Sequence, residues 1–208
     1  MKQQQDYIRD ISEIRSMMER STKFLSLSGW AGIMAGIYAL AGVYIAYEVL
    51  AFNPNEVVYP YLSEDSTEYP LRKLIVLAAI IVMLAVGTAI YFSNRRAIRR
   101  NEKLWNSTSR RLLINMAVPL VTGGLLILIL IQKGLIGLIA PMTLIFYGIA
   151  LYIASKFTYD DIKVLGYVQI ILGLLGAYFV GYGLLLWALG FGIGHIVYGI
   201  YVHFKYER

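Results

Sequence analysis

Ser93–Arg111 reads SNRRAIRRNEKLWNSTSRR. It holds seven of the chain's nineteen Lys and Arg residues: Arg95, Arg96, Arg99, Arg100, Lys103, Arg110 and Arg111. Long apolar runs flank it on both sides. A segment this cationic crosses a bilayer poorly and is retained on the cytoplasmic side. Once it is placed there, every other segment acquires a side. The fold expected is all-α and polytopic: a bundle of six transmembrane helices preceded by an amphipathic helix.

Composition agrees. The chain has 208 residues, 58% of them hydrophobic and 15% charged, whereas a soluble domain carries about 25% charged residues. A net charge of +6 in a soluble protein would point to nucleic acid, but here the basic residues are needed for topology, and no nucleic-acid partner is expected. There are no cysteines, which excludes disulfides, thiolate metal sites and cysteine nucleophiles. The first apolar run begins at Phe24, after a mixed-charge segment. It outlasts the roughly 7–15 residues of a signal-peptide core, so it is read as a retained helix.

Working outward from the basic loop, the apolar runs place spans at about 24–52, 74–92, 112–131, 135–155, 164–180 and 184–204, within a membrane domain of 24–208. Residues 1–23 are polar, but Tyr7, Ile11, Ile14, Met18 and Leu25 recur at helical spacing. Arg9/Glu13, Arg15/Glu19 and Glu19/Lys23 are opposite charges four apart, each supporting a helix by roughly 0.2–0.5 kcal/mol. This stretch reads as a juxtamembrane helix lying on lipid or on the bundle, or as a docking helix for a cytoplasmic protein partner. Asn53–Pro70 has three prolines, four acidic residues and no Lys or Arg, and is expected to be an extracytoplasmic loop. Pro119 and Pro141 fall inside the third and fourth spans.

The charges test this map. Five basic residues lie in 1–23, seven in 93–111, two in 156–163 and two after Phe204, all on the proposed inside. Only Arg72, Lys73 and Lys133 lie outside. The positive-inside rule is obeyed throughout, giving an integral membrane protein with both termini cytoplasmic.

Polar groups at membrane depth are costly and mark candidate sites. His195 sits near the middle of the sixth span in Gly190-Phe-Gly-Ile-Gly-His. Gly190 and Gly194 form a GxxxG pair that clears space for a neighbouring helix or a ligand. His195 could bind a ligand, relay protons or donate one interhelical hydrogen bond. Gln169 shares a face of the fifth span with Gly166, Gly173 and Gly176. Asn115 and Thr122, seven apart, mark a face of the third span. A ligand site framed by the third, fifth and sixth spans is therefore expected around His195, Gln169, Asn115 and Thr122. Ser28, Gly32 and Gly36 form a small-residue ribbon on the first span. That ribbon serves close helix packing, within one chain or in a homo-oligomer. Asp160 and Asp161 read as helix-start residues for the fifth span. The seventeen tyrosines read as interface belt and packing.

No phosphate loop, HExxH, GxSxG or dinucleotide fingerprint is present. His195 and His203 have no third ligand nearby in sequence, so no metal, cofactor or catalytic residue is expected. The run Ser16-Met-Met-Glu-Arg-Ser-Thr-Lys-Phe-Leu-Ser-Leu-Ser-Gly29 resembles the entry to the first span in small bacterial integral membrane proteins. That resemblance implies location in a bacterial inner membrane and carries over no activity. Two functions remain: a non-enzymatic bundle that binds or transports a small or lipidic ligand, and a regulatory or scaffold protein using its N-terminal helix and basic loop. An intramembrane enzyme would need a second catalytic group beside His195.

Overall fold

The computed structural model of the chain describes residues 23–50, 52, 68–101 and 103–207. The amphipathic helix expected over 1–23 lies, except for Lys23, outside the described residues, as do residues 53–67 of the expected acidic loop. The described chain is helical, with no strand among those residues. α1 is Gly29–Tyr44, continued by a π-helical turn, Ile45–Val49. α2 is Glu68–Arg99, α3 is Ser107–Gln132, α4 is Ile139–Ala154 and α5 is Ile162–Tyr178. The last helical run is α6, Gly183–Trp187, then a π-helical segment, Ala188–Gly194, then α7, His195–Tyr206.

Among the described residues, five stretches are long and apolar enough to cross a bilayer: Gly29–Val49, Arg72–Arg99, Ser107–Gln132, Ile136–Ala154 and Val180–Tyr206. This is the make-up of an integral membrane protein. α5 is equally apolar, but its 17 residues give about 26 Å against a hydrocarbon core of about 30 Å.

Glycine contacts hold the centre together. α1 crosses α7 so closely that a Cβ on Gly36 would fall 2.5 Å from the Gly192 oxygen, and one on Gly199 would fall 2.5 Å from the Gly29 oxygen. The ribbon on the first helix, Gly32 and Gly36 included, is thus taken up within the chain by α7 and the π segment. α4 and α5 form a second close pair: a Cβ on Gly148 would fall 2.6 Å from the Gly166 oxygen. Backbones approach this closely only where side chains are missing. α2 packs chiefly on α1, and α3 chiefly on α4. No residue in the most apolar window of α2 is buried. Its Val82, Met83 and Ile90 are exposed, as are Val118 and Leu125 of α3. These are the faces that lipid would cover.

Two boundaries differ from the sequence expectation for physical reasons. The apolar pattern predicts helix from Phe24, yet residues 24–28 run without helix and α1 starts at Gly29. Other parts of the chain take this segment's backbone groups. Phe24 donates its N–H to the Phe157 carbonyl at 2.7 Å. Thr158 Oγ1 donates to the Phe24 carbonyl at 2.6 Å, and the Tyr159 hydroxyl to the Leu25 carbonyl at 2.6 Å. Phe24 itself is buried against Leu112 and Ala154. The second difference is Pro141. α4 begins only at Ile139, after a 3-10 turn at Ile136–Leu138, so Pro141 sits in its first turn. A missing N–H costs nothing there. Pro119, by contrast, is inside α3.

Candidate functional site

His195 opens α7, directly after the π segment. Across the bundle, α5 presents Gln169 and α4 presents Tyr147. Gln169 and His195 meet at the Gly190 carbonyl, and Tyr147 reaches the far side of the His195 ring. Gln169 Nε2 donates to that oxygen at 2.9 Å, and His195 Nδ1 lies 3.2 Å from it. His195 Nε2 lies 2.9 Å from the Tyr147 hydroxyl. Gln169 is fully buried and His195 is nearly so.

These distances assign the imidazole. A carbonyl can only accept, so Nδ1 carries the proton and donates to Gly190. Nε2 is then the acceptor, and the Tyr147 hydroxyl donates to it. The approach of Gln169 Nε2 to His195 Nδ1, 3.4 Å, then sets two donors side by side and adds no hydrogen bond. In the opposite tautomer Nδ1 would accept from Gln169 while Nε2–H donated to Tyr147. The site thus accommodates either tautomer, and the shorter Gly190 contact selects the first.

Gly190 is required for this arrangement. A Cβ there would fall 2.5 Å from Gln169 Oε1 and 2.6 Å from Leu144 Cδ2. Aromatic rings close the other sides. Phe191 lies nearly parallel to His195, with centroids 5.5 Å apart, and Tyr147 packs against both. Trp187 continues the row beyond Phe191 and donates its indole N–H to Thr143 at 3.0 Å. Among the described residues, two buried side-chain polar atoms have no protein partner: Gln169 Oε1 and the Tyr198 hydroxyl.

Of the residues singled out by sequence, His195 and Gln169 come together, with Gly190 between them. Gly194 lies on the same π segment and faces Leu165. Asn115 and Thr122 do not join them. Both are exposed on α3, bonded to their own helix through the Arg111 and Val118 carbonyls at 2.8 Å each. α3 packs on α4, so the fourth helical pass, through Tyr147, takes the place expected for the third. Tyr147 is the residue that sequence reasoning missed. Its signal is its setting, next to Gly148 and well inside an apolar helix instead of at its end.

A second polar cluster gathers the segments expected to be cytoplasmic. Arg96, alone of the exposed-loop arginines, turns inward. It donates to the Leu27 carbonyl at 2.5 Å, to Glu207 Oε1 at 2.6 Å and to the Tyr206 carbonyl at 2.7 Å. Glu207 also accepts from the Gly29 N–H at 2.7 Å and pairs with His203 at 2.6 Å. Partial burial pushes the Glu207 carboxyl up. His203, the Gly29 N–H, Ser28 and Arg96 together outweigh that and hold it below its ordinary value. Arg95, Arg99, Arg110 and Arg111 stay exposed, and Arg100, also exposed, reaches the Leu25 carbonyl at 3.3 Å.

Asp161 stands at the start of α5, as expected, but makes no capping bond. Instead it accepts from Lys205 and the Tyr206 hydroxyl, each at 2.7 Å, and from Tyr201 at 3.2 Å. Burial raises its carboxyl, and those donors more than offset the rise, leaving it below the ordinary value. Asp160 pairs with Lys23 at 2.8 Å. Tyr159 stacks on Tyr206 with centroids 4.1 Å apart, and burial holds its hydroxyl above the usual phenol value despite Arg96 and Arg100 nearby. No group of three or more His, Asp or Glu side chains placed to hold a metal occurs among the described residues.

Comparison with known proteins adds no neighbour: no protein-family model, no curated protein and no solved structure matches this chain.

Proposed function

We propose that this chain crosses a bacterial inner membrane six times, with both termini cytoplasmic, and binds a small or lipidic ligand between its fourth, fifth and sixth passes, at Gln169, His195 and Tyr147. Three features support the topology. Lys23, Arg96, Arg100 and Lys205 share one end of the bundle through the bonds described above. Lys133, expected outside, follows the C-terminal end of α3, opposite to Arg110 and Arg111 in its first turns. α5 is apolar and joins the last span through the short turn at Val180–Tyr182.

The ligand reading rests on one observation: Gln169 Oε1 is buried and lacks a donor. An acceptor left unmade in an apolar interior costs about 1–3 kcal/mol. A donor on a ligand entering beside the π segment would recover it, and Tyr147, whose hydroxyl donates to His195, keeps its oxygen free to accept from the same molecule. π segments recur at functional sites because they aim groups that a regular helix would keep. Nothing in the arrangement calls for bond-making chemistry, and the reading is non-enzymatic.

The test uses protein purified in native lipid discs, extracted with organic solvent and analysed by mass spectrometry. A compound enriched with wild type should be lost in Gln169→Leu and His195→Ala. Identical extracts from variants of unchanged stability would remove the site.

A second reading is favoured by the basic loop. Ile98 and Trp105 are about two-thirds exposed among the outward arginines, a surface suited to a cytoplasmic partner. Deletion of residues 1–20 with loss of a co-purifying protein would support it. An unaltered set of co-purifying proteins would count against it.

A further inference from the structure

The loop between α2 and α3 is pinned close to the ends of both helices. Just past the end of α2, Asn101 takes the left-handed conformation, φ 53°, which an asparagine adopts readily at a helix end. α3 starts in a capping box. The Ser109 N–H donates to Asn106 Oδ1 at 2.8 Å, and the Asn106 N–H donates to Ser109 Oγ at 2.9 Å. Between the two helices, Leu104 packs inward on the cluster of Phe24, Leu112 and Ala154. Its neighbour Trp105 is 66% exposed, and Ile98, in the last turn of α2, is 65% exposed.

The outward side of this end has two layers. In the first, Arg95, Arg99, Arg110 and Arg111 are exposed, and none pairs with a carboxylate among the described residues. Glu102 is the one acid in the whole stretch 93–111. The second layer lies one helical turn farther along each span. There Tyr91, four residues before Arg95, and Ile114, three after Arg111, begin an exposed apolar surface that Ile90 and Leu113 widen. Cations bordering hydrocarbon side chains repeat the order of headgroup and acyl chain in a leaflet. Indole rings settle at that boundary, and clusters of Lys and Arg beside a span attract anionic lipid.

We propose that this surface binds anionic phospholipid. Negatively charged headgroups lie among Arg95, Arg99, Arg110 and Arg111, and Trp105 and Ile98 are seated in the same interface. Charge complementarity selects the headgroup, and the adjoining apolar faces of α2 and α3 take the acyl chains. The proposal gives to lipid the surface that the second reading gives to a protein. It does not depend on ligand binding at Gln169.

The test reconstitutes the full chain in mixed vesicles of phosphatidylcholine and phosphatidylglycerol. Bromine is carried on the acyl chains of one lipid or of the other, at the same mole fraction. Bromine quenches tryptophan on contact, and comparison with Trp105→Phe separates the Trp105 emission from that of Trp30 and Trp187. Brominated phosphatidylglycerol should quench Trp105 severalfold more strongly than brominated phosphatidylcholine. The preference should shrink when salt is raised from about 0.1 M to about 1 M, which cuts the Debye length from about 10 Å to about 3 Å. It should shrink likewise in Arg99→Gln/Arg110→Gln. Equal quenching by the two lipids in wild type overturns the proposal without any variant. So does quenching by neither, which would leave the surface to water or to a cytoplasmic protein. A preference unmoved by salt or by the variant would overturn it as well, because the arginines would then not carry it.

Discussion

Arg96→Met should be among the most damaging single changes outside the glycine crossings. The Arg96 and Glu207 side chains are 10% and 11% exposed, so water screens them little. The substitution keeps the aliphatic stem and removes three donated bonds, to Leu27, Glu207 and Tyr206. Two carbonyls and a carboxylate then lose their cation together. Breaking one side of a buried pair costs about 3–5 kcal/mol, far above the ~0–1 kcal/mol of an exposed one. For a chain of this size that is a fall of roughly 6–20 °C in Tm. The assay is thermal unfolding in detergent micelles, with Arg95→Met as the control. Arg95 neighbours Arg96 but is exposed, and its loss should stay within about 0.5 kcal/mol. Glu207→Gln should also destabilise, because Arg96 would then be the unpaired charge. The double variant should fall short of the summed losses by about 0.5–3 kcal/mol. If Arg96→Met matches Arg95→Met, or if the two losses simply add, the pair is not coupled and the reasoning about this end of the bundle fails.

The same cluster predicts a pH response. Glu207 and Asp161 are both held below their ordinary values, so each adds stability above the normal carboxylate range, and that stability is lost as pH falls through the lowered values. Tm should therefore drop on the acid side of pH 5, and Glu207→Gln should flatten the drop. Gly36→Val should cost about 1–3 kcal/mol or more by overpacking, since its Cβ would meet the Gly192 oxygen and the Ile196 nitrogen. Gly124→Ala, a helical position with open space around it, should be neutral or stabilising by up to about 1 kcal/mol, as paired melting curves would record. Because the chain lacks cysteine, a single Cys at Trp105 or at Lys133 gives a clean topology test. An impermeant thiol reagent added to intact cells should label Lys133→Cys and spare Trp105→Cys, and the reverse would invert the proposed orientation.

What the sequence made legible follows from which forces are local. Apolar length and arginine placement report the lipid directly, so the helical, membrane-type architecture could be read before any coordinates. Glycine spacing marked close crossings, and both His195 and Gln169 were found beside such glycines. Periodicity says which residues share a face, not what that face meets. Asn115 and Thr122 do share one, and it is exposed. Tyr147 was lost because tyrosines were judged as a class by their preference for interfaces, although depth within its own helix set it apart. Residues 24–28 look helical by hydropathy alone. They are not, because their partners, Phe157, Thr158 and Tyr159, lie more than a hundred positions away, where no local pattern reaches. Asp161 does stand at the start of α5, as its position predicts, but its partners are not legible locally. Its donors come from α7.

The crossing of α1 with α7 also bears on biosynthesis. Gly29 and Glu207, joined by a hydrogen bond, are 178 residues apart. On a ribosome, α1 is made well before α7 and must wait in the bilayer with its grooved side uncovered while the helices between them are translated. Whatever shields that groove meanwhile, lipid tails or an insertion factor, has to leave again when α7 arrives. This crossing thus closes only after the intervening helices are in place, and a chain interrupted before α7 would be held open at the place where the folded bundle is tightest.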